Sequence, residues 1–276
     1  MVKVAEESFV EKMLYRMVKK HIAGTTMSAA LSKVEELNGR NIPASITFLS
    51  SDVDNKSKAR YVTITYLELI RRIARLGLKA SVHIPSSQLG MMIDQDTALK
   101  NIGEVIGTGN KYGVFVWIEA NEPEAQLFGR FDGTRGYGLA FHEQSTKKFN
   151  PVYKRLKSAK VLFSEEKGPK QQHKEPGIKD IEGVLKSSNN IVLSSPPDGM
   201  VRVLSNGSKY KSRVVLEFKL GYSSKRLSSL TKKGAKVSVS VPFGKDWINF
   251  ATNSVPEGYM RFLASNLLKE RHVPEV

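Results

Sequence analysis

The spacing of apolar and polar positions changes period several times along the chain, and those changes outline its elements. Before residue 43 the period is helical. Phe9, Met13, Met17 and Val18, with Leu14, recur at spacings of three and four until Gly24 stops the run. A second helix is predicted from Thr26 to Leu37, ending near Gly39, and Ala44-Ser45-Ile46-Thr47-Phe48-Leu49 then reads as a strand. From there strands and helices alternate. Helices are predicted over 57–76, 94–106 and 123–128, with strands over 80–84 and 114–118 between them. The later strand candidates are 137–141, 160–163, 191–193, 214–218 and 237–241, with helices near 150–156, 178–185, 198–204, 225–230 and 257–271. Eight strands alternating with helices predict an α/β chain closed as a (β/α)8 TIM-like barrel. An open doubly wound sheet would give a similar alternation, so the period alone does not choose. The 276 residues suit one barrel domain, with N-terminal helices over 1–42 and the barrel over 43–276.

Composition narrows the chemistry. A hydrophobic fraction of 40% supports a substantial core, and no apolar run reaches membrane-spanning length. With no leader-like stretch at Met1, a cytoplasmic protein away from membranes is expected. The absence of cysteine excludes disulfides, thiolate metal sites and cysteine nucleophiles. His83, His142 and His173 with Glu119 include no closely spaced histidine pair, so no metal is expected. The glycine-rich run 107–113 follows a helix and precedes a strand, the reverse of a dinucleotide fingerprint, and reads as a turn.

Charge is distributed unevenly. Residues 147–236 hold 21 Lys+Arg against 7 Asp+Glu, whereas 1–146 hold 18 against 16 and 237–276 hold 4 against 4. Such a basic segment suits a polyanion, because each phosphate contact releases condensed counterions. Its candidate contacts are Lys147, Lys148, Lys154, Arg155, Lys167, Lys170 and Lys174, with Lys209, Lys211 and Arg213 in a second cluster. Tyr153 and Tyr210 stand among these cations, where an aromatic ring could stack on a base. RNA or a ribonucleoprotein such as the ribosome is the expected partner, and an acidic protein would suit the same charge.

Several segments resemble the proline dehydrogenase family in order and spacing. They are Ile22-Ala23-Gly24, Leu76-Gly77, Ala80-Ser81-Val82-His83, Gln88-Leu89-Gly90, Val114 to Glu119, Leu216-Glu217-Phe218-Lys219-Leu220 and Val239 to Trp247. The resemblance covers most of the chain and implies a flavin-dependent barrel. It also implies residues that this chain lacks. A lysine of the second strand is matched by His83, and the Asp-Met-Glu ending the third by Trp117-Ile118-Glu119. A glutamine of the fourth strand is matched by Ala140, an arginine and a lysine of the fifth by Lys160 and Phe163, and a His-Asp pair of the sixth by Pro196-Pro197 or nearby. The two arginines that clamp proline's carboxylate are matched by Asn253 and Ser254, which offer no guanidinium fork. These departures lead to the expectation of a non-catalytic barrel without cofactor, a pseudoenzyme reused for binding RNA or the ribosome. The alternative is an FAD-dependent dehydrogenase of proline or a related imino acid.

Overall fold

The computed structural model of the protein describes residues 15–16, 18–50, 52–131, 134–142, 158–163, 177–206 and 208–248. Eight parallel strands close into a barrel in sequence order: β1 Ala44–Phe48, β2 Ala80–Pro85, β3 Val116–Glu119, β4 Tyr137–His142, β5 Ser158–Leu162, β6 Asn190–Ser194, β7 Val214–Lys219 and β8 Lys236–Phe243. Strand β8 returns to β1 with Ser45 beside Ser240 and Phe48 beside Phe243. Closure decides between the two architectures that alternation left open.

Side chains on a strand alternate faces, and here the two faces differ sharply. Ile46, Val82, Ile84, Val116, Ile118, Leu139, Val161, Leu193, Leu216, Val239 and Val241 form one set, all buried in the main core. They meet the helices α1 Met27–Gly39, α2 Lys56–Arg75, α3 Gln95–Tyr112, α4 Glu122–Leu127, α5 Glu182–Ser187, α6 Asp198–Ser205 and α7 Ser224–Lys232. The alternate positions face the lumen and include many small or polar residues, Ser45, His83, Gly138, Ala140, Ser158, Lys160, Ser194, Glu217 and Ser238, beside Trp117, Val192 and Val215. A barrel interior is usually filled with bulky branched residues. This one is not.

The helices begin where capping chemistry allows. Thr26, Asn55, Asp94 and Ser223 each accept a backbone N–H at the start of α1, α2, α3 and α7. Helix α3 runs to Tyr112, through the glycine-rich run expected to be a turn. The reason lies at Gly109, where a Cβ would stand 2.6 Å from Val116 Cγ2 and 2.7 Å from the Val114 carbonyl oxygen. That glycine permits close approach of helix and strand rather than a break, and Gly113, in the left-handed region at φ 70°, supplies the stop. Strand β3 accordingly starts at Val116, two residues later than expected.

Two of the sequence motifs acquire structural roles. Around Ile22-Ala23-Gly24 the chain crosses the C-terminal ends of β7 and β8. Ala23 N–H donates to the Pro242 carbonyl, Gly244 N–H to that of Gly24, and His21 Nδ1 lies 2.8 Å from the Leu220 carbonyl. Gln88-Leu89-Gly90 anchors the second loop. Gln88 Nε2 donates to the Phe48 carbonyl at 3.2 Å, Leu89 is fully buried, and Gly90 turns the chain at φ 101°. No helix among the described residues is long and apolar enough to cross a membrane.

Candidate active site

The lumen is organised around one buried charge pair. Lys160, from the middle of β5, has a fully buried side chain, and Glu217 of β7 is 2% exposed. Lys160 Nζ lies 2.8 Å from Glu217 Oε1 and 3.0 Å from Oε2. Its remaining contacts are Ser45 Oγ on β1 at 3.3 Å and His83 Nδ1 on β2 at 3.5 Å. Ser194 of β6 donates to Glu217 Oε1 at 2.8 Å. The three protons of the ammonium thus meet three acceptor side chains, which is the condition for keeping an ion pair in a low-dielectric interior.

These contacts fix the state of His83. An ammonium can only donate, so Nδ1 must accept, and the ring proton resides on Nε2. Burial lowers the pKa of His83, and the charge of Lys160 lowers it further, keeping the imidazole neutral. Its backbone carbonyl accepts from Tyr66 Oη of α2 at 3.1 Å, while the same oxygen accepts from the Phe48 amide at 3.0 Å. One phenol therefore sets β1 and β2 at their C-terminal ends. Burial raises the Tyr66 pKa strongly, so it stays a neutral donor.

Toward the C-terminal rim the polar chain continues to Glu119, the last residue of β3. Its Oε2 lies 3.1 Å from His83 Nε2 and its Oε1 3.5 Å from His142 Nε2 at the end of β4. The first contact is close but lacks hydrogen-bond alignment, leaving the buried Nε2–H of His83 without an aligned acceptor. Burial alone would raise the Glu119 carboxyl. The neighbouring His142 and His83 outweigh it and hold that carboxyl well below the ordinary carboxylate range. Glu119 is 29% exposed and His142 56%, so the chain reaches from the closed lumen to solvent.

Trp117 is buried on the same lumen face. It lies beside Gly138 in the β3–β4 register, and a Cβ on Gly138 would stand 2.5 Å from its Cζ3 and 2.9 Å from Ser158 Cβ. Small residues on β4 and β5 make room for the indole. Ala140 lies between Glu119 and Lys160 in register and brings no polar group, while Phe163 is buried just past β5. Of the positions matched to flavin- and substrate-binding residues, His83, Trp117, Ala140 and Lys160 gather on the lumen face, while Phe163, on the face of Val161, is part of the main core. Asn253 and Ser254 lie outside the described residues. The sequence reading placed Lys160 here but did not pair it with Glu217, and it treated His142 only as a metal candidate.

The basic residues are arranged differently. Lys147, Lys148, Lys154, Arg155, Lys167, Lys170 and Lys174 lie outside the described residues. Lys209, Lys211 and Arg213 precede β7 and turn toward their own chain. Lys211 donates to the Lys233 carbonyl, and Arg213 to the carbonyls of Leu185 at 3.1 Å and Ser188 at 3.4 Å. Lys209 lies over the ring of Tyr210, which is buried rather than offered to a base.

No protein-family model matches the chain. Among curated proteins it is similar to proline dehydrogenase 2 of Bacillus subtilis, at 22% identity over 263 residues covering 86% of this chain and 85% of the relative. Proline dehydrogenase 1 of the same organism is 20% identical over 278 residues and 91% of each chain. Proline dehydrogenase of Deinococcus radiodurans is 21% identical over 291 residues, 92% of this chain and 91% of the relative. Among solved structures, proline utilization A of Bdellovibrio bacteriovorus, inactivated by N-propargylglycine, aligns with TM-score 0.66 and 13% identity over 96% of this chain and 34% of its own. The corresponding protein of Corynebacterium freiburgense aligns with TM-score 0.63 and 11% identity over 94% and 31%. The chain thus spans about a third of those longer structures, and the likeness shows a shared barrel. These findings overturn the expectation of a barrel reused for RNA or ribosome binding. The curated relatives, matched along most of both chains, are proline dehydrogenases, and the described part of the basic cluster serves internal contacts. The pseudoenzyme reading and the absence of a cofactor lose their support with it.

Proposed function

We propose that this proline dehydrogenase-like barrel is an FAD-dependent dehydrogenase of proline or a related imino acid, working at the C-terminal mouth. The observation that carries the reading is the match, along most of both chains, to curated proline dehydrogenases. The lumen adds physical support. Ser50 Oγ, just past β1, is a buried polar atom without a partner, and neutral His83 with ionised Glu119 puts a polar pair at the same end of the barrel. This polar lining fits a polar ring system, and His83 and Ser50 would hold the flavin. Bound there, the flavin would supply the hydride acceptor.

The protein's own residues would do the rest. Lys160 is saturated by Glu217, Ser45 and His83, so it fixes the neutral tautomer of His83 instead of reaching a ligand directly. Ionised Glu119 on the rim attracts a cationic amine. Asn253 and Ser254 replace the expected carboxylate clamp, so the acid group of the substrate would be held by other residues, more weakly than by two guanidinium groups. The test is a visible spectrum of freshly purified protein followed by proline-dependent dye reduction. Flavin bands and reduction that depends on proline or a related imino acid are expected. A colourless protein that is not reconstituted by added FAD would reject the proposal.

A further inference from the structure

We propose that an open groove on the outer wall of the barrel, along α7, binds a compact oligophosphate, a ligand carrying several linked phosphate groups. The groove has a volume of about 650 Å³, within the range of small-molecule sites. Arg40, which caps the end of α1, lines it together with six residues of α7. The lining presents four cations and three serine hydroxyls, with no carboxylate and no apolar side chain. Helices α1 and α7 both pack on β8, which brings Arg40 to the same side of the barrel as α7. The groove is separate from the polar lumen and does not depend on the dehydrogenase reading.

The sequence of α7 builds this wall. Leu227 and Leu230 are its buried residues and hold the helix to the barrel. Residues four apart share a helix face. Ser224, Ser228 and Lys232 therefore form one row away from the leucines, and Lys225, Ser229 and Lys233 form a second row beside it. All six are exposed and all six line the groove. From Lys225 to Lys233 the helix rises about 12 Å. Ammonium groups toward both ends, with hydroxyl donors between them, suit a chain of phosphates. Its terminal groups would meet cations and its middle would meet Ser228 and Ser229.

The charge on this face is uncompensated. No Asp or Glu occurs between Glu217 and Asp246 in the sequence. Several exposed helix cations elsewhere have carboxylate partners, as in Lys56–Asp94, Arg60–Glu104 and Lys186–Glu182. Arg226, on α7 but outside the groove, pairs with Asp198. Among the described residues, Lys225, Lys232 and Lys233 make no ion pair. Arg40 donates one N–H to Glu36 at 3.0 Å and keeps the rest of its fork. A single exposed lysine is satisfied by water. Three unpaired ammonium groups and a guanidinium around one groove repel one another, and a bound polyanion removes that repulsion.

The test is isothermal titration calorimetry of the full chain with inorganic triphosphate, compared with sulfate at matched ionic strength. Wild type should take up one triphosphate, about tenfold or more tighter than sulfate. Lys225→Gln with Lys232→Gln should weaken that binding about tenfold or more. Lys100→Gln with Lys111→Gln, exposed lysines of α3, should leave it unchanged. Both pairs of substitutions touch exposed side chains alone, and circular dichroism checks that the fold is kept. Binding no tighter than sulfate, or a loss shared by the α3 variant, would mean general charge screening and overturns the site. Undiminished binding in Lys225→Gln with Lys232→Gln overturns its location. Single-stranded RNA that displaces triphosphate at lower concentration than triphosphate itself would overturn the ligand class.

Discussion

Lys160 and Glu217 hold each other at 2.8 Å in the closed interior of the barrel, reaching past β6 from the two strands that flank it. With Ser45, His83 and Ser194 they join β1, β2, β5, β6 and β7 through side chains alone. The pair stands where barrels ordinarily place branched aliphatic residues, so its removal is instructive. Lys160→Met leaves a buried carboxylate facing a thioether and should cost about 3–5 kcal/mol. Lys160→Met with Glu217→Leu removes both charges at similar volume and should recover most of that loss. Urea denaturation of Lys160→Met, Glu217→Leu and the double variant measures the coupling. A double variant no more stable than Lys160→Met would mean that the pair is replaceable on neither side.

Acid sensitivity should arise in two steps. His83 has a folded-state pKa below its ordinary 6.5, so the unfolded chain binds the extra proton first. Its contribution is complete at pH above 6.5 and is lost as pH falls below that value. Glu119, with its pKa held below the ordinary 4.5, stabilises the fold above that value and loses its contribution at more acid pH. Melting temperature should therefore decline already between about pH 6.5 and 5.5 in wild type. His83→Asn should flatten that interval while keeping the fall below pH 4.5. A wild-type curve flat down to pH 5 would contradict the neutral assignment of His83.

Trp117 and Gly138 form a matched pair of large and small. Gly138→Ala places a methyl 2.5 Å from the indole edge and should destabilise by about 1–3 kcal/mol. Trp117→Leu in that background clears the space and should return part of the stability, whereas Trp117→Leu alone leaves a void and loses some. Thermal melts of the three variants read the sign of the coupling. Strict additivity would show that the indole is free to move aside.

How far the sequence discloses this arrangement depends on the range of each interaction. Strand and helix alternation is local, so the eight strands are visible in it, and the motifs around Gly24 and Gly90 mark turns that the backbone does make. Gly109 misleads because a glycine that permits helix–strand contact has the same local appearance as one that ends a helix. The Lys160–Glu217 pair joins positions 57 residues apart, and pairing over that distance needs the strand register. One signal was present. A lysine and a glutamate each interrupt an apolar strand, at Ala159-Lys160-Val161 and Leu216-Glu217-Phe218, and opposite buried charges facing one barrel lumen tend to find each other. Net charge, by contrast, counts cations without regard to what they contact, and Lys211 and Arg213 bond to carbonyls of their own chain.

Arg213 gives the sharpest reinterpretation of a basic residue. Its guanidinium donates to the carbonyls of Leu185 and Ser188 at the end of α5, groups that a helix C-terminus leaves without intrahelical partners. It also lies 5.7 Å over the ring of Tyr210. Arg213→Ala removes both carbonyl contacts and uncovers the ring, and should destabilise the protein by about 1–2 kcal/mol. Arg213→Lys keeps the charge but loses the planar fork, and should recover less than half of the loss. A role in capturing a polyanion predicts the opposite, since lysine would then substitute well and the melting temperature would hardly move. Melting temperatures of the two variants, measured in low and high salt, separate the cases. A loss that persists in high salt identifies an internal clamp, because hydrogen bonds to buried carbonyls are screened far less than a surface charge.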